Sequence, residues 1–212
     1  VVPAENLVPG VPIDYHTTMP VRTGALGLTV RSYDGRPIKI EGNPAHPSSF
    51  GKTNAFAQAE ILNLYDPDRS THVLENGAER TWGEFVVYWR DLYTRYLEND
   101  GEGMAVISPS FSSPTLNRLA KEFVRNFRNA KWVTYDAISD ENIFKGIKAA
   151  TGRFLMPHYR FDQAKVILSL DSDFLFLESE NVAHAYGFAN GRRVSSPADE
   201  MNRLYVVEML AQ

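Results

Sequence analysis

Two hydrophobic periods divide the chain. Leu26, Leu28 and Val30 alternate with Gly27 and Thr29, Asp34-Gly35 follows, and Ile38 and Ile40 then alternate with Lys39 and Glu41. Period-two alternation puts the apolar set on one face of a sheet, and Asp-Gly supplies the positive φ angles of a tight turn, so a β-hairpin is predicted. Pro9-Gly10, Gly42-Asn43-Pro44, His46-Pro47 and Asp66-Pro67 crowd the first 80 residues with turn signals and leave room only for short elements. One of these is a helix at Ala55–Tyr65, with Phe56, Ala59, Leu62 and Ile61 sharing a face before Asp66-Pro67 stops it.

From Thr81 the period becomes helical. Thr81-Trp82-Gly83-Glu84 fits a capping box, in which the Thr hydroxyl accepts from the third amide and Glu84 reaches back to the first. Trp82, Phe85, Val86, Trp89, Leu92, Tyr93, Tyr96 and Leu97 recur at three- and four-residue spacing, which predicts a helix over 82–98 with a core-facing stripe. Four short apolar runs, 104–108, 131–135, 165–170 and 204–208, suit strands buried on both faces. Helical patterns separate them. Ser113-Pro114 opens one, with Leu116, Leu119, Ala120, Phe123, Val124 and Phe127 on its face. A second runs from Ser139-Asp140 through Ile143, Phe144, Ile147 and Ala150 to Gly152, and a third lies within 180–190.

Alternating strands and helices are the grammar of a parallel sheet with right-handed crossovers. The fold class predicted is therefore α/β: a parallel, Rossmann-like sheet flanked by helices over 81–212, preceded by a small turn-rich, β-containing segment over 1–80.

Composition narrows the function classes. A chain of 212 residues with 43% apolar residues folds around a core, and its 22 basic and 26 acidic residues, net charge -4, build no basic field for nucleic acid. No run approaches the roughly 20 apolar residues of a membrane-spanning helix. Cysteine is absent, which removes disulfides, thiolate zinc sites, cysteine nucleophiles and cysteine-ligated clusters together. Val1-Val2-Pro3-Ala4-Glu5 carries neither an initiator Met nor a leader pattern, so a processed or partial chain is expected.

In an open α/β sheet, ligands gather at the carboxyl ends of strands, here the loops 109–112, 136–139 and 171–174. None is a Gly-rich phosphate loop. Ser108, Ser110, Ser112 and Ser113 either hydrogen-bond a ligand or cap the next helix, and capping is the simpler reading. Asp171-Ser172-Asp173 sets carboxylates where a phosphate would approach. His16, His46, His72, His158 and His184 include no pair three to five residues apart, and no acidic partner is expected at ligand spacing, so no metal site is assigned. His46, between two prolines, is expected to bond a backbone carbonyl. Asp66 or Asp68 caps a turn, with Arg69 paired to a carboxylate. No Gly-x-Ser-x-Gly elbow is present to expose a serine nucleophile. No catalytic, cofactor-binding or metal residue is nominated.

The run Asp34-Gly35-Arg36-Pro37-Ile38-Lys39-Ile40-Glu41-Gly42-Asn43-Pro44-Ala45-His46-Pro47 resembles the early segment of molybdopterin oxidoreductases. Tyr65-Asp66-Pro67-Asp68-Arg69, Thr81-Trp82-Gly83-Glu84 and Phe161-Asp162-Gln163-Ala164-Lys165-Val166-Ile167-Leu168 follow in that family's order. Within it, Asn54-Ala55-Phe56-Ala57-Gln58-Ala59-Glu60-Ile61-Leu62-Asn63-Leu64-Tyr65 and Met201-Asn202-Arg203-Leu204-Tyr205-Val206-Val207-Glu208 look like the large iron–sulfur subunits of bacterial alternative complex III. Relatives usually carry cluster cysteines in the stretches that read here as 15–24 and 51–56, and neither stretch has one.

The resemblance implies a pterin-free scaffold segment of a membrane-associated quinol:electron-acceptor oxidoreductase. It holds no cofactor itself, and iron–sulfur clusters sit in a later part of the full subunit. The implied partners are haem-bearing and integral membrane subunits, and the implied place is the outer, periplasmic face of the cytoplasmic membrane. The rival readings are a segment of a catalytic molybdenum or tungsten bis-pterin oxidoreductase and a stand-alone α/β binding module.

Overall fold

The computed structural model describes residues 7–22 and 24–209, so the expectation drawn from Val1-Val2-Pro3-Ala4-Glu5 and the last residues, 210–212, lie outside it. Backbone contacts group the chain into two compact units, residues 1–61 with 139–212, and residues 62–138.

In the first unit, β1 (Ile13–Val21), β2 (Gly24–Tyr33) and β3 (Arg36–Gly42) form an antiparallel sheet in the order β1-β2-β3. The predicted hairpin is β2–β3, and its turn has positive φ at Asp34 (50°) and Gly35 (77°), as a type I′ turn demands. Strand β1 was not anticipated. Ile13, Tyr15, Thr17, Met19 and Val21 alternate along it, and it pairs with β2 from Ile13↔Ser32 to Val21↔Gly24. Ile38 departs from the predicted face. The register moves from Ser32↔Pro37 to Arg31↔Lys39, which makes Ile38 the extra residue of a bulge, and it is exposed while Ile40 is buried.

Helix α1 (Ala55–Tyr65) has the predicted bounds, and Asn54 caps it by accepting the Ala57 amide at 2.8 Å. The face it buries is a different one. Ala57 is fully buried and Ile61 packs on the core, while Phe56 and Leu62 are exposed. A small side chain at the contact lets the helix approach the sheet closely, and its neighbour one turn on follows it in. Leu26, Leu28, Ile40, Ala57 and Val182 make the buried cluster, flanked by Met19, Val21, Val30 and Ile61. The segment after β3 closes tightly over β2: a Cβ on Gly27 would lie 2.1 Å from the His46 ring.

The same unit continues with α4 (Glu141–Thr151), which ends at Gly152 with φ 75° as predicted, and a 3-10 turn at Phe161–Gln163. Strand β8 (Val166–Leu170), helix α5 (Asn181–Asn190) and strand β9 (Arg203–Val207) then form a strand–helix–strand crossover. It pairs β8 and β9 in parallel from Val166↔Arg203 to Leu170↔Val207.

The second unit opens with a hairpin missing from the prediction, β4 (Val73–Glu75) and β5 (Ala78–Arg80), joined by Asn76-Gly77 at φ 51° and 82°. Helix α2 (Trp82–Glu98) starts at the predicted capping box: the Glu84 amide donates to Thr81 Oγ1 at 3.2 Å, and the Thr81 amide donates to Glu84 Oε2 at 2.7 Å. Strands β6 (Ala105–Ser108) and β7 (Lys131–Thr134) pair in parallel across α3 (Pro114–Asn126).

The α/β class therefore holds as a mixed fold with small sheets, two of them parallel pairs. Two expectations about burial do not hold. The α2 stripe is only half-buried at Phe85, Leu92, Tyr93 and Tyr96, and Trp82, Trp89 and Leu97 are exposed. The parallel strands are not covered on both faces either: Ile107 is 76% and Leu168 61% exposed. Periodicity states which residues need cover, not what supplies it.

Candidate functional site

The strand-end loops resolve the serine question. Ser108 Oγ accepts the Trp132 indole N–H at 3.0 Å, and Ser113 Oγ caps α3 by accepting the Leu116 amide at 3.3 Å. Ser110 donates to Asp136 through its hydroxyl and, at 2.9 Å, through its amide, closing the loop after β6 onto the loop after β7. These two bonds, the hydroxyl's first, hold the Asp136 carboxyl below its ordinary range. An amide that could have met an anion is thereby committed to a carboxylate.

After β8, Asp171 takes positive φ (49°) and its amide donates to the Val207 carbonyl at 2.8 Å. Asp173 Oδ1 accepts the Phe176 amide at 3.1 Å, and Ser172 Oγ donates to Glu178. The Asp173 carboxylate therefore builds a turn. Asp66 does the same, accepting the Asp68 amide at 2.8 Å, while Arg69 donates to the Leu64 carbonyl rather than to the carboxylate expected.

Asp140 is the most deeply set acid that sequence reasoning treated only as a helix start. Its carboxylate makes no cap bond. It pairs with Arg22 at 3.2 Å and accepts from Ser179 Oγ at 2.8 Å, tying the β1–β2 corner to the segment before α5. Helix α4 is instead stapled by Ser139, whose hydroxyl accepts the Glu141 amide.

The histidines separate into local and convergent ones. His16 bonds Thr29, and His72 bonds Thr71 and lies 3.7 Å from Glu79. His46 is structural, but its Nδ1 accepts the Ser48 amide at 3.2 Å instead of donating to a carbonyl. His158 and His184 converge on Glu180, at 2.9 Å and 3.7 Å. The acidic partner that was not expected is thus present one helical turn before His184, at a spacing readable in the sequence. His184 is 4% exposed and lies against the rings of Tyr159 and Phe161, and among the described residues neither ring nitrogen meets a partner in good hydrogen-bond geometry. Burial lowers its pKa, against the opposing attraction of Glu180 and Glu178. Among the described residues, no group of three or more His, Asp or Glu is placed to hold a metal ion.

A cleft of about 350 Å³ lies beside this cluster, walled by Phe50 and Tyr186, whose rings stack at 5.0 Å. Its charged groups are spent within the chain: Arg160 forks onto Asp162 at 2.9 Å and 3.0 Å, and His158 bonds Glu180. Of the stretches where the resemblance would place cluster ligands, 15–21 lies in β1, 51–53 in the turn and loop after β3, and 54–56 holds the N-cap and first residues of α1.

The fold and these loops define a mixed α/β protein with small sheets. No family model matches the chain. It is 31% identical over 105 residues to the menaquinone reductase molybdopterin-binding-like subunit of Nitratidesulfovibrio vulgaris, a match covering 47% of this chain and 15% of that subunit's length. The chain therefore has a distant, molybdopterin-oxidoreductase-like relationship, in line with the resemblance read from its motifs.

Proposed function

We propose that the chain is a pterin-free, molybdoenzyme-like scaffold segment of a quinol oxidoreductase, of the alternative complex III type. The carrying observation is the partial match to a menaquinone reductase subunit whose own name is molybdopterin-binding-like. In this reading residues 1–80 are the remnant of a cluster domain and 81–212 belong to a Rossmann-like domain. Iron–sulfur clusters lie in a later part of the full subunit, haem-bearing and integral membrane subunits are its partners, and it works at the outer face of the cytoplasmic membrane.

The residues present fit a bis-dinucleotide pterin poorly. Its phosphates need free backbone amides or Arg forks, yet the Ser110 amide is held by Asp136 and the loop after β8 presents Asp171 and Asp173. Cluster iron needs thiolates, and the chain has no cysteine. Elemental analysis of the purified intact subunit tests the proposal: iron is expected without stoichiometric molybdenum or tungsten. Pterin fluorescence after acid oxidation, stoichiometric with the chain, overturns it in favour of a catalytic molybdenum or tungsten segment.

A further inference from the structure

Between α4 and the 3-10 turn, residues 154–160 lie against His184 with neither helix nor strand, and among the described residues no hydrogen bond fixes their amides. Side-chain contacts hold the segment down. Lys148 stands over the Phe154 ring at 4.3 Å, the Tyr159 ring lies 5.5 Å from that of His184, and His158 bonds Glu180 at 2.9 Å. The void beneath, bordered by Asp140, Ile143, Met156, Glu178 and Glu180, measures about 10 Å³, roughly the space of a single water.

A neutral imidazole is tolerated in such a place, whereas an imidazolium needs hydration or free acceptors. The acceptors around it are shared or engaged. Glu180 Oε2, 3.7 Å from the ring, also bonds His158; Glu178 accepts the Ser172 hydroxyl; and Asp140 pairs with Arg22 at 3.2 Å and accepts from Ser179. From the segment itself come His158 and the Tyr159 phenol, and Asp162 on the 3-10 turn is forked by Arg160. Burial therefore outweighs the attraction of Glu180 and Glu178 and holds the His184 pKa below its ordinary 6.5.

A ring that is hard to protonate when covered, and ordinary when wet, couples its cover to pH. Lifting the segment returns water to the ring, so the open form binds the proton more tightly and gains population as pH falls below 6.5. Above that value the closed form is fully favoured. A charged His158 would pull the segment the other way, towards Glu180, but a solvent-exposed pair contributes little.

We propose that residues 154–160 form a pH-gated strap, which covers His184 in neutral solution and lifts when that ring takes up a proton. The strap also supplies His158, Tyr159 and Arg160 to the cleft beside Phe50 and Tyr186, so its movement reshapes that cleft. The proposal is independent of the scaffold reading.

Hydrogen–deuterium exchange of the intact subunit at about pH 7.5 and about pH 5, corrected for the intrinsic pH dependence of exchange, tests it across the range where imidazole titrates. The Gln163 and Ala164 amides, bonded to the Arg160 and Phe161 carbonyls at 3.0 Å and 3.3 Å, report on the end of the strap. Their protection should fall several-fold at the lower pH while the amides of β2 keep theirs, and His184→Phe should abolish the change. Unchanged protection, an equal loss in β2, or a loss that persists in His184→Phe overturns the proposal. A magnetic-resonance titration of the His184 ring in the unsubstituted protein guards against a variant that misfolds. The ring should gain its proton over the pH range in which protection falls, and separate ranges overturn the proposal.

Discussion

The sheet β1–β3 and the unit spanning 62–138 solve the burial problem in opposite ways. The sheet, with α1 and α5, gathers Leu26, Leu28, Ile40, Ala57 and Val182 into one cluster, although its sequence is full of turns and its helix α1 is weakly amphipathic. The second unit has the stronger patterns, in α2 and α3, yet among the described residues Phe127 is its one buried apolar side chain, at 2% exposure. Amphipathy is a property of a segment, whereas burial requires a second surface. The clearest helical stripe in this chain, that of α3, belongs to the unit with the fewest buried apolar side chains among the described residues.

That contrast is open to attack by substitution. Phe127→Ala should cost about 3–5 kcal/mol of the second unit's stability. The ring meets Tyr93 and Phe123, and it packs beside Gly101, where a Cβ would lie 3.2 Å from it. Denaturant unfolding followed by fluorescence measures this, and a loss near zero would mean the unit has no core of its own. Leu28→Ala should cost about 2–5 kcal/mol of the first unit's stability by the same measurement.

Gly27→Ala should destabilise by about 1–3 kcal/mol, because the added methyl enters the His46 ring and the turn must move. Trp89→Ala should cost about 1–2 kcal/mol in the 212-residue chain, less than a core truncation, since the side chain is 42% exposed. The same substitution in the intact subunit should cost several-fold more if a further surface covers α2. Equal small effects in both settings would show that the stripe faces solvent.

The smallest effect expected is a pH dependence centred on His184 in the first unit. Burial holds the His184 pKa below its ordinary 6.5, so the folded state binds fewer protons there than the unfolded state. The stability it contributes is complete above pH 6.5 and is lost as pH falls below that value. His184→Phe should flatten this part of a thermal-melting profile. Asp136, held below its ordinary 3.8, contributes in the same direction only at still lower pH, so the two separate on the pH axis.

Several particulars of the candidate site show where sequence reading reached and where it stopped. The Ser113 cap and the Thr81–Glu84 box were legible because donor and acceptor lie three residues apart. The Asn76-Gly77 hairpin, strand β1 and the Glu180–His184 spacing were equally local and were overlooked. The Ser110–Asp136 latch, the Arg22–Asp140–Ser179 tie and the convergence of His158 on Glu180 join residues 22 to 118 positions apart, and no period or motif marks such pairs.

The sequence by itself determined the helix bounds of α1 and α2, the Asp34-Gly35 turn, the strand–helix alternation and the absence of thiolate chemistry. These follow from backbone sterics, capping within one turn, hydrophobic period and residue inventory, all of which act over a few residues. Only the tertiary structure decided that Ala57 rather than Phe56 faces the core, that a bulge turns Ile38 outward and that Ile107 and Leu168 on the parallel strands stay exposed. Those outcomes depend on which surfaces meet, and the free energy of burying a side chain belongs to the pair of surfaces rather than to either segment.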